Sequence, residues 1–436
     1  MAPDDSAATT REPWTFTASE AARAIAGGTL TAEALVRACL ERIAEREPAV
    51  EAWAHLDADG ALATARALDR GAARGLLHGI PVGIKDNIDT HDMPTGQGSP
   101  IHEGFRPDRD AACVALTRLA GAVVLGKTVT AEFGHRHPGP TRNPHDPAYS
   151  PGGSSSGSAA AVGDRMVPVA YGTQTSGSLI RPASYCGTVG YKATYGDFNL
   201  SGMMANSPSI DTLGLIARSV EDLALFRSAL LEEPLQPLAP PSPDTLRVGF
   251  FRTPFWADAE AATQVALEGA AAALAKAGMR VADFTAPAGF AAINEHHRVL
   301  TGFEFARTLA SERVHHYDQL SPVLRDGRMA DGLRETYAGY RAAEAAIMEL
   351  RTAMDAAMAD VDVLLTPAAP AEAPKGLGNT GPMTFNSSWT ALHMPALTLP
   401  LFTGPHGLPL GAQLIARRTQ DRRLFDAAEA IRRALG

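Results

Sequence analysis

The chain has 436 residues, of which 45% are apolar and 20% charged, an ordinary composition for a globular protein. Its formal net charge of −9 argues against nucleic acid or an anionic membrane surface as a partner. No apolar run reaches transmembrane length, and the N-terminus has acidic residues where a signal peptide needs basic ones. The odd, widely spaced cysteines, Cys39, Cys113 and Cys186, are typical of free thiols in a reducing compartment. We therefore expect a cytoplasmic protein.

The N-terminal part of the sequence predicts a leader followed by helices. Residues 1–14 are expected to be disordered. Thr17 and Glu20 have the spacing of a capping box, and the helix that follows them ends at Gly27 and Gly28. Two further helices are predicted: one that is capped by Thr31 and followed by Pro48, and one over about 61–73.

Strands and helices then alternate as far as residue 170. Ile80, Val82 and Ile84 occupy alternate positions, which predicts a half-buried strand that ends at Lys85. The later elements are a loop over 91–110, a helix over 111–119 and strands over 122–125 and 166–170. Such alternation predicts an α/β fold with a mixed sheet.

The C-terminal half follows a proline-rich linker, residues 235–244, that is unsuited to a helix. A variable, helix-rich insert is predicted at about 240–350, where it would cover the site. Its elements are a strand over 247–251 and helices around 258–278, 289–313 and 333–359. The remaining elements are strands over 361–366, 396–401 and 410–416 and a closing helix from Asp421. Residues 15–436 are therefore predicted to form a single domain.

The stretch from Ser150 to Cys186 is rich in glycine, serine and other small residues. Small side chains bury little apolar area, so this composition is poor at filling a core. It does let the backbone approach other groups closely, and it supplies hydroxyl and N–H groups. The stretch therefore indicates a serine nucleophile, although it contains no histidine to act as the base.

Lys85 is the candidate base, because it follows a predicted strand of apolar residues. To act near neutral pH, its pKa must fall by roughly 3 from about 10.4, which corresponds to about 4 kcal/mol. Burial among apolar strands and small residues would lower the pKa in this way. A surface lysine at the end of a strand is the alternative.

Three motifs resemble those of the amidase signature family of Ser-cis-Ser-Lys hydrolases. They are the Gly-Gly-Ser-Ser-Ser-Gly run at 152–157, the Gly-Thr-Gln-Thr-Ser-Gly-Ser turn at 172–178 and the Pro-x-x-x-Lys-Asp context at 81–86. Ser154 and Ser178 are 24 residues apart, as in the family. The resemblance implies that Ser178 is the nucleophile, that Ser154 bridges it to Lys85 and that a cis peptide bond follows Gly153. It also implies the family's α/β fold, a central mixed, twisted β-sheet covered by helices on both faces.

The activity that this resemblance implies is hydrolysis of an amide bond. Ser178 would attack a small amide and form an acyl-enzyme, which releases an amine or ammonia and a carboxylic acid. Ser155 is expected to hydrogen-bond the site and, with Arg181, is a candidate for substrate contact. No cofactor or metal is expected. The N–H groups that would stabilise the oxyanion belong to one turn: Thr175, Ser176, Gly177 and Ser178.

Two other functions are left open. One is a carbamate (urethane) or aryl-amide hydrolase of the same family. The other is the ammonia-generating subunit of a tRNA-dependent amidotransferase, which works only in a complex, although the chain has no obvious tail for binding a partner. The expected partner of a free enzyme is a small amide or carbamate, and homodimerisation is left open.

The nucleophile turn departs from the family at three points. Gln174 stands where Asp is usual, and Ser176 stands where Gly is usual, so that a positive φ there would strain the turn. Arg181 follows the nucleophile by three residues, a spacing that resembles the malonamidase branch. In that branch this arginine binds a substrate carboxylate, which suits a guanidinium group. An ion pair with an acid such as Asp211 is the alternative.

Two other patterns suggest different chemistry. Residues 121–128 match the P-loop pattern, but the middle four form a strand sequence whose N–H groups would be paired in a sheet. Residues 153–157 match the nucleophile elbow of α/β-hydrolases, which must follow a strand rather than the proline-rich loop found here. Neither pattern is interpreted as functional.

The histidines are also interpreted without a metal. His135, His137 and His145 lie among prolines and glycines with no pattern of acids or cysteines, which favours loop histidines over a metal cluster. His296 and His297 lie on a predicted helix and are expected on its polar face.

Overall fold

The structure, a computed structural model, describes residues 11–436. Most of the predicted leader, residues 1–14, lies outside this range, and its disorder stays a prediction. Within the described part, Pro13–Thr15 forms a short 3₁₀ turn. The Arg11 guanidinium forms an ion pair with Glu20 at 2.8 Å, so the chain is already attached to the first helix here.

One mixed β-sheet of eleven strands runs through the described residues. In chain order the strands are β1 (Trp53–Leu56), β2 (Pro81–Lys85), β3 (Val123–Thr128), β4 (Val169–Gln174), β5 (Val189–Lys192), β6 (Thr212–Ala217), β7 (Arg247–Phe250), β8 (Arg280–Asp283), β9 (Val363–Pro367), β10 (Ala396–Thr403) and β11 (Pro409–Ile415). Their spatial order is β1-β3-β2-β4-β6-β5-β10-β11-β9-β7-β8. Strands β3, β2 and β4 are parallel neighbours, whereas the centre of the sheet is antiparallel.

Fourteen α-helices accompany the sheet in residues 11–436. They are α1 (Ala18–Ala26), α2 (Ala32–Val50), α3 (Ala58–Arg70), α4 (Ala112–Leu119), α5 (Ser156–Gly163), α6 (Ile180–Tyr185), α7 (Val220–Leu230), α8 (Ala261–Lys276), α9 (Ile293–Thr308), α10 (Ala310–His315), α11 (Ala330–Arg334), α12 (Tyr337–Ala357), α13 (Ser387–Ala391) and α14 (Asp421–Leu435). Every residue of β2, β3, β4 and β6 is buried, so both faces of the sheet are covered in this region. The predicted α/β fold with a mixed sheet is confirmed.

The first helix forms as its sequence predicts. Thr17 accepts the backbone N–H of Glu20, the Glu20 carboxylate accepts the N–H of Thr17, and Gly27 ends the helix. The second helix begins after Thr31 but continues through Pro48, so the predicted end is wrong. Proline has a helical φ and removes only one hydrogen bond near the end of a helix.

Two strands differ from their predictions. β2 is buried along its whole length, not half-buried, because it lies between two parallel neighbours. The strand predicted over 166–170 instead covers Val169–Gln174. Its polar end, Thr173 and Gln174, pairs with Leu213 and Thr212 of β6. The sequence pattern marked only the apolar run, whereas pairing with a neighbour decides how far a strand extends.

The segment over 240–350 belongs to the same sheet through β7 and β8 and carries helices α8 to α11 and part of α12. An irregular π-helical segment, Val323–Met329, precedes α11. Helix α9 and this segment pack on each other and reach the edge of the sheet where the predicted site lies. This part of the chain contributes Thr301, Phe305 and Arg328 to the cavity wall, and its role as a cover of the site stays a prediction.

The small residues of the Ser150–Cys186 stretch are mostly buried, and they let the backbone approach neighbouring elements closely, as expected. At Gly157, a Cβ atom would lie 2.2 Å from the Ala52 carbonyl oxygen and 2.4 Å from the Val129 backbone nitrogen. Helix α5 can approach the β1–β3 edge only because this position has no side chain.

No helix within residues 11–436 is long and apolar enough to cross a membrane. Cys39, Cys113 and Cys186 are buried free thiols, as predicted. The cytoplasmic location and the question of a homodimer stay predictions.

Candidate active site

The carboxyl ends of β2 and β4 bring the predicted site together. The two strands are parallel neighbours, with Val82 opposite Val169, so both end at the same edge of the sheet. β2 ends at Lys85, and β4 ends at Gln174, four residues before Ser178. Ligands of open α/β sheets bind at this edge, because loops from adjacent strands meet there.

Lys85 is fully buried, so the alternative of a surface lysine is wrong. Its Nζ lies 2.9 Å from Ser154 Oγ and 2.7 Å from Thr173 Oγ1, and Asn87 Nδ2 donates to the same Thr173 oxygen at 3.2 Å. Burial lowers the pKa of Lys85 from 10.5 to about 7, while the negative charge of Asp211 acts to raise it. An amine in this environment is substantially neutral near pH 7.

Ser154 and Ser155 stand directly before α5 and are fully buried. The peptide bond between Gly153 and Ser154 is cis. Ser155 donates its backbone N–H to the Ser178 carbonyl at 3.0 Å, and its hydroxyl lies 3.3 Å from the Thr173 backbone nitrogen. Ser155 therefore joins the serine stretch to the end of β4, as a hydrogen-bonding neighbour of the site.

Ser178 lines a cavity with an empty volume of about 440 Å³. The residue is 8% exposed, so its hydroxyl can be reached from the cavity. Within the described residues, Ser178 Oγ has no hydrogen-bond partner, and Ser154 Oγ is bonded to Lys85 alone. Hydrogen bonds between catalytic groups are often long without substrate and shorten when it binds.

The nucleophile turn presents backbone donors to this cavity. All four of its predicted oxyanion residues line the cavity: Thr175, Ser176, Gly177 and Ser178. Their N–H groups have no acceptor among residues 11–436, so they can receive an anion. Ser176 does not have a positive φ, and the strain expected from its replacement of glycine is absent there.

Gln174 holds the beginning of α6. Its Oε1 accepts the N–H groups of Leu179 and Ile180, each at 3.0 Å, and its Nε2 donates to Thr390 at 3.1 Å. An ionised aspartate would have no donor for Thr390. The replacement of Asp by Gln thus adds a hydrogen bond at this turn.

Asp211 forms a hydrogen bond to the nucleophile turn at Thr175. Its carboxylate accepts the Thr175 hydroxyl at 2.5 Å and the backbone N–H groups of Asn206 and Ser207. Burial raises the pKa of Asp211 to about 6, although these hydrogen bonds act to lower it. Asp211 is therefore mainly ionised at pH 7, and its charge acts on Lys85.

His297 of α9 also contacts the turn. Its Nε2 lies 3.0 Å from the Thr175 carbonyl oxygen and 3.3 Å from Ser176 Oγ. Because a carbonyl only accepts, Nε2 carries the hydrogen. Burial lowers the pKa of His297 to about 4, so the ring is neutral near pH 7. The expectation that His297 lies on a polar helix face is wrong, since the residue is 1% exposed.

Arg181 lines the same cavity, but it forms no ion pair with Asp211, so that alternative is wrong. Its Nη2 donates to the Gly153 carbonyl at 2.5 Å and to Thr380 Oγ1 at 3.2 Å. The Nε atom is buried and has no partner within the described residues. Arg181 thus holds the peptide group that precedes Ser154.

Sequence comparison assigns the family. The amidase family model matches residues 34–425. One subunit of the glutamyl-tRNA(Gln) amidotransferase of Chloroflexus aggregans is 32% identical over 96% of this chain and 96% of its own length. The chain belongs to the amidase family. It is therefore a C–N hydrolase, and the predictions of family and of reaction class are confirmed.

Solved structures show the same architecture. The peptide amidase of Stenotrophomonas maltophilia is 30% identical and superposes with a TM-score of 0.84 over 97% of each chain. A protein from a vestigial complex that reveals the origins of an s-triazine catabolic enzyme is 27% identical, with a TM-score of 0.88 over 96% of this chain and 98% of its own. These similarities confirm the amidase signature fold.

The other sequence patterns of this amidase have structural roles. Most of the P-loop match lies in β3, as expected, and Lys127 is buried with its Nζ 3.3 Å from Asp86. The three loop histidines have separate partners: His137 accepts the N–H of Glu132 through its carbonyl, His145 Nε2 contacts the Cys186 carbonyl, and His135 packs on Phe305. In the described part of the chain they do not form a metal cluster.

The sequence analysis did not predict a role in the site for several residues of the amidase. Thr173 lies within a quoted motif but was given no role, although it contacts Lys85. Asn87 follows the lysine motif directly. His297, Arg136 and Arg328 come from a loop and from the 240–350 segment, and their local sequences carry no signal of a site. Only their burial or their position at the cavity identifies them.

Proposed function

We infer that this amidase hydrolyses amide bonds of small molecules with Ser178 as nucleophile, Ser154 as relay and Lys85 as base. The observation that carries the proposal is the buried Lys85 amine, 2.9 Å from Ser154 Oγ, with a pKa near 7. A lysine with an ordinary pKa would be protonated at neutral pH and unable to accept a proton. Thr173 keeps the amine directed at Ser154.

In the first step, the neutral Lys85 accepts the Ser154 hydroxyl proton, and Ser154 takes the proton of Ser178. The Ser178 oxygen attacks the amide carbon, and the carbonyl oxygen becomes an oxyanion. Four N–H groups of the turn over 175–178 are available to stabilise this charge, and removal of one such donor typically costs about 100- to 1,000-fold in rate. The Ser154–Ser178 contact closes when substrate fills the cavity.

In the second step, the proton returns from Lys85 through Ser154 to the leaving nitrogen, and the C–N bond breaks. The product is an acyl-enzyme on Ser178 together with an amine or ammonia. Water, deprotonated by the same relay, then attacks the acyl carbon and releases a carboxylic acid. Ser155 supports the arrangement through Thr173 and the Ser178 carbonyl and takes no part in proton transfer.

A panel of aliphatic amides, anilides and carbamates, assayed with wild type and variants, tests this proposal. Ser178→Ala and Lys85→Ala are expected to abolish turnover, whereas Ser155→Ala retains part of it because its bonds are supporting ones. Lys192→Ala is a matched control, since burial also lowers the pKa of Lys192 to about 7 but its Nζ contacts the Ala193 carbonyl instead. Full activity in Ser178→Ala would remove the assignment. Preference for carbamates or anilides would select those substrates within the same mechanism.

Function as the ammonia-generating subunit of a tRNA-dependent amidotransferase is the second proposal. It is supported by the similarity to glutamyl-tRNA(Gln) amidotransferase subunits over nearly the full length of both chains. Co-purification with other subunits, together with glutamine hydrolysis only in the complex, is the expected result. Ser178-dependent turnover of a simple amide by the lone chain would exclude it.

A further inference from the structure

The cavity beside Ser178 is small and strongly basic. Its empty volume of about 440 Å³ includes space that is open to solvent. Phe305 and Met383 supply apolar surface to the cavity wall. Among the described residues, no acid lines this cavity. Three arginines do: Arg136, Arg181 and Arg328.

The guanidinium groups of Arg136 and Arg328 lack ionic partners within residues 11–436. Arg136 Nη2 contacts the Met383 sulfur at 3.6 Å, and Arg328 Nη1 donates to the Arg298 carbonyl at 3.0 Å. Both groups therefore keep most of their N–H donors available. A guanidinium with open donors suits a carboxylate, which it can bind through two parallel hydrogen bonds.

Three acids lie close to these arginines in sequence: Glu132, Asp326 and Asp331. Asp326 has an exposed side chain. Glu132 accepts hydrogen bonds from the Ser99 hydroxyl and the Ser321 backbone N–H. Asp331 forms ion pairs with Arg298 at 3.4 Å and Arg334 at 3.2 Å. The charge of Asp331 acts to raise the pKa of Arg328, but none of the three acids forms an ion pair with Arg136 or Arg328.

The three arginines also raise one another's electrostatic energy. Burial lowers the pKa of Arg181 and of Arg328, each to about 10, and the charge of Arg136 acts in the same direction on both. Like charges at the wall of a partly buried cavity repel each other more strongly than in water, because solvent screens them poorly. A bound anion would be attracted to all three positive charges and would offset the repulsion between them.

Arg181 differs from the other two in what it binds: its Nη2 donates to the Gly153 carbonyl and to Thr380, although its Nε has no partner within the described residues. It is 4% exposed and sits under the cis peptide bond that leads into Ser154. Loss of Arg181 would release the Gly153 carbonyl and disturb the relay. Its effect on catalysis would therefore not depend on the charge of the substrate.

The geometry points to an anionic substrate, the monoamide of a short dicarboxylic acid, whose carboxylate binds Arg136 and Arg328 while Ser178 attacks the amide carbon. Arg181 is a positioning residue that keeps Ser154 in place. This assignment differs from what the malonamidase-like spacing implies, in which Arg181 binds the carboxylate. The inference rests on the proposed amide hydrolysis and adds the substrate class and two specificity-determining residues.

Matched substrates test the inference. Malonamate, succinamate and glutaramate are compared with propionamide, butyramide and valeramide, in which a methyl group replaces the carboxylate. Wild type is expected to prefer the acidic member of at least one pair. Arg136→Gln and Arg328→Gln should each lower kcat/KM for that member by about 10- to 100-fold, mainly through KM, because a charge-assisted hydrogen bond is lost. Arg325→Gln, in the same segment as Arg328 but outside the cavity wall, should leave both substrates unchanged.

Arg181→Gln provides the decisive comparison, since it should lower kcat for acidic and neutral amides alike. A rise in KM for acidic amides alone, with Arg136→Gln and Arg328→Gln silent, would assign the carboxylate to Arg181 and overturn the inference. Equal effects of Arg328→Gln on both members of a pair would also overturn it.

Binding of succinate to Ser178→Ala, measured by calorimetry, needs no turnover. Weaker binding in Ser178→Ala/Arg328→Gln supports the inference, and absence of binding contradicts it. Turnover that survives in Ser178→Ala instead contradicts the proposed function. A Ser178-dependent enzyme that prefers neutral amides contradicts only the substrate class. The two failures are therefore distinguishable.

Discussion

The neutral form of Lys85 should control the pH dependence of the reaction. Burial depresses the pKa of this lysine to about 7, so the base is protonated below this pH and free above it. For one titrating group of this pKa, about one-tenth is neutral at pH 6 and about nine-tenths at pH 8. We therefore expect kcat/KM for a neutral amide to rise about tenfold between these values and to level off above pH 8.

The Asp211→Asn variant tests whether Lys85 causes this rise in kcat/KM, which is called the limb of the pH profile below. The Asp211 carboxylate favours the charged form of Lys85, so its removal should lower the lysine pKa and move the limb to lower pH. Asparagine can still accept the Thr175 hydroxyl, which preserves one bond to the nucleophile turn. Asp211 has a pKa of about 6 itself, and interacting groups titrate as a pair.

The assay is kcat/KM between pH 5.5 and 9 for wild type and Asp211→Asn, with a substrate that does not titrate in this range. A flat profile in wild type would refute the role of Lys85 as a base. Disappearance of the limb in Asp211→Asn, rather than its displacement, would assign the limb to Asp211. His297 does not compete for the assignment, because its pKa of about 4 lies below the range.

Two further predictions concern the support of the site. His297→Leu should lower kcat about tenfold with little change in KM, because the ring no longer holds the Thr175 carbonyl and the oxyanion donors lose their alignment. Steady-state kinetics measure the separate changes in kcat and KM. Gly157→Ala should lower the free energy of unfolding by about 3 kcal/mol or more, because the new Cβ meets the Ala52 and Val129 backbones. Denaturant unfolding measures the loss.

Each of these variants has a control in the chain. His296→Leu changes the adjacent histidine, which has no hydrogen bond to the turn, and should leave kcat unchanged. A larger effect on KM than on kcat in His297→Leu would contradict its role in positioning the turn. Gly269→Ala places a Cβ where no heavy atom lies within 4 Å, on an exposed face of α8. It should stabilise the protein by about 0.5–1 kcal/mol through helix propensity. Equal stability of Gly157→Ala and Gly269→Ala would contradict the proposed close packing.

Local patterns predicted what depends on neighbours in sequence. The capping box at Thr17 and the strand that leads into Lys85 need only the chemistry of a few consecutive residues. The same holds for the serine motifs, whose order and spacing identified the family. The extent of β4 and the course of α2 beyond Pro48 were mispredicted, because pairing with β6 and helix continuation are decided outside the local pattern.

The sequence by itself determined the family, the α/β class and the candidate triad of Lys85, Ser154 and Ser178, because short motifs with set spacing encode them. Only the tertiary structure decided the depressed pKa of the lysine and the lack of an ion pair at Arg136 and Arg328 among the described residues. Desolvation and ionic pairing depend on which distant segments pack around a group. Local sequence patterns do not predict that packing, because the segments are far apart in the chain.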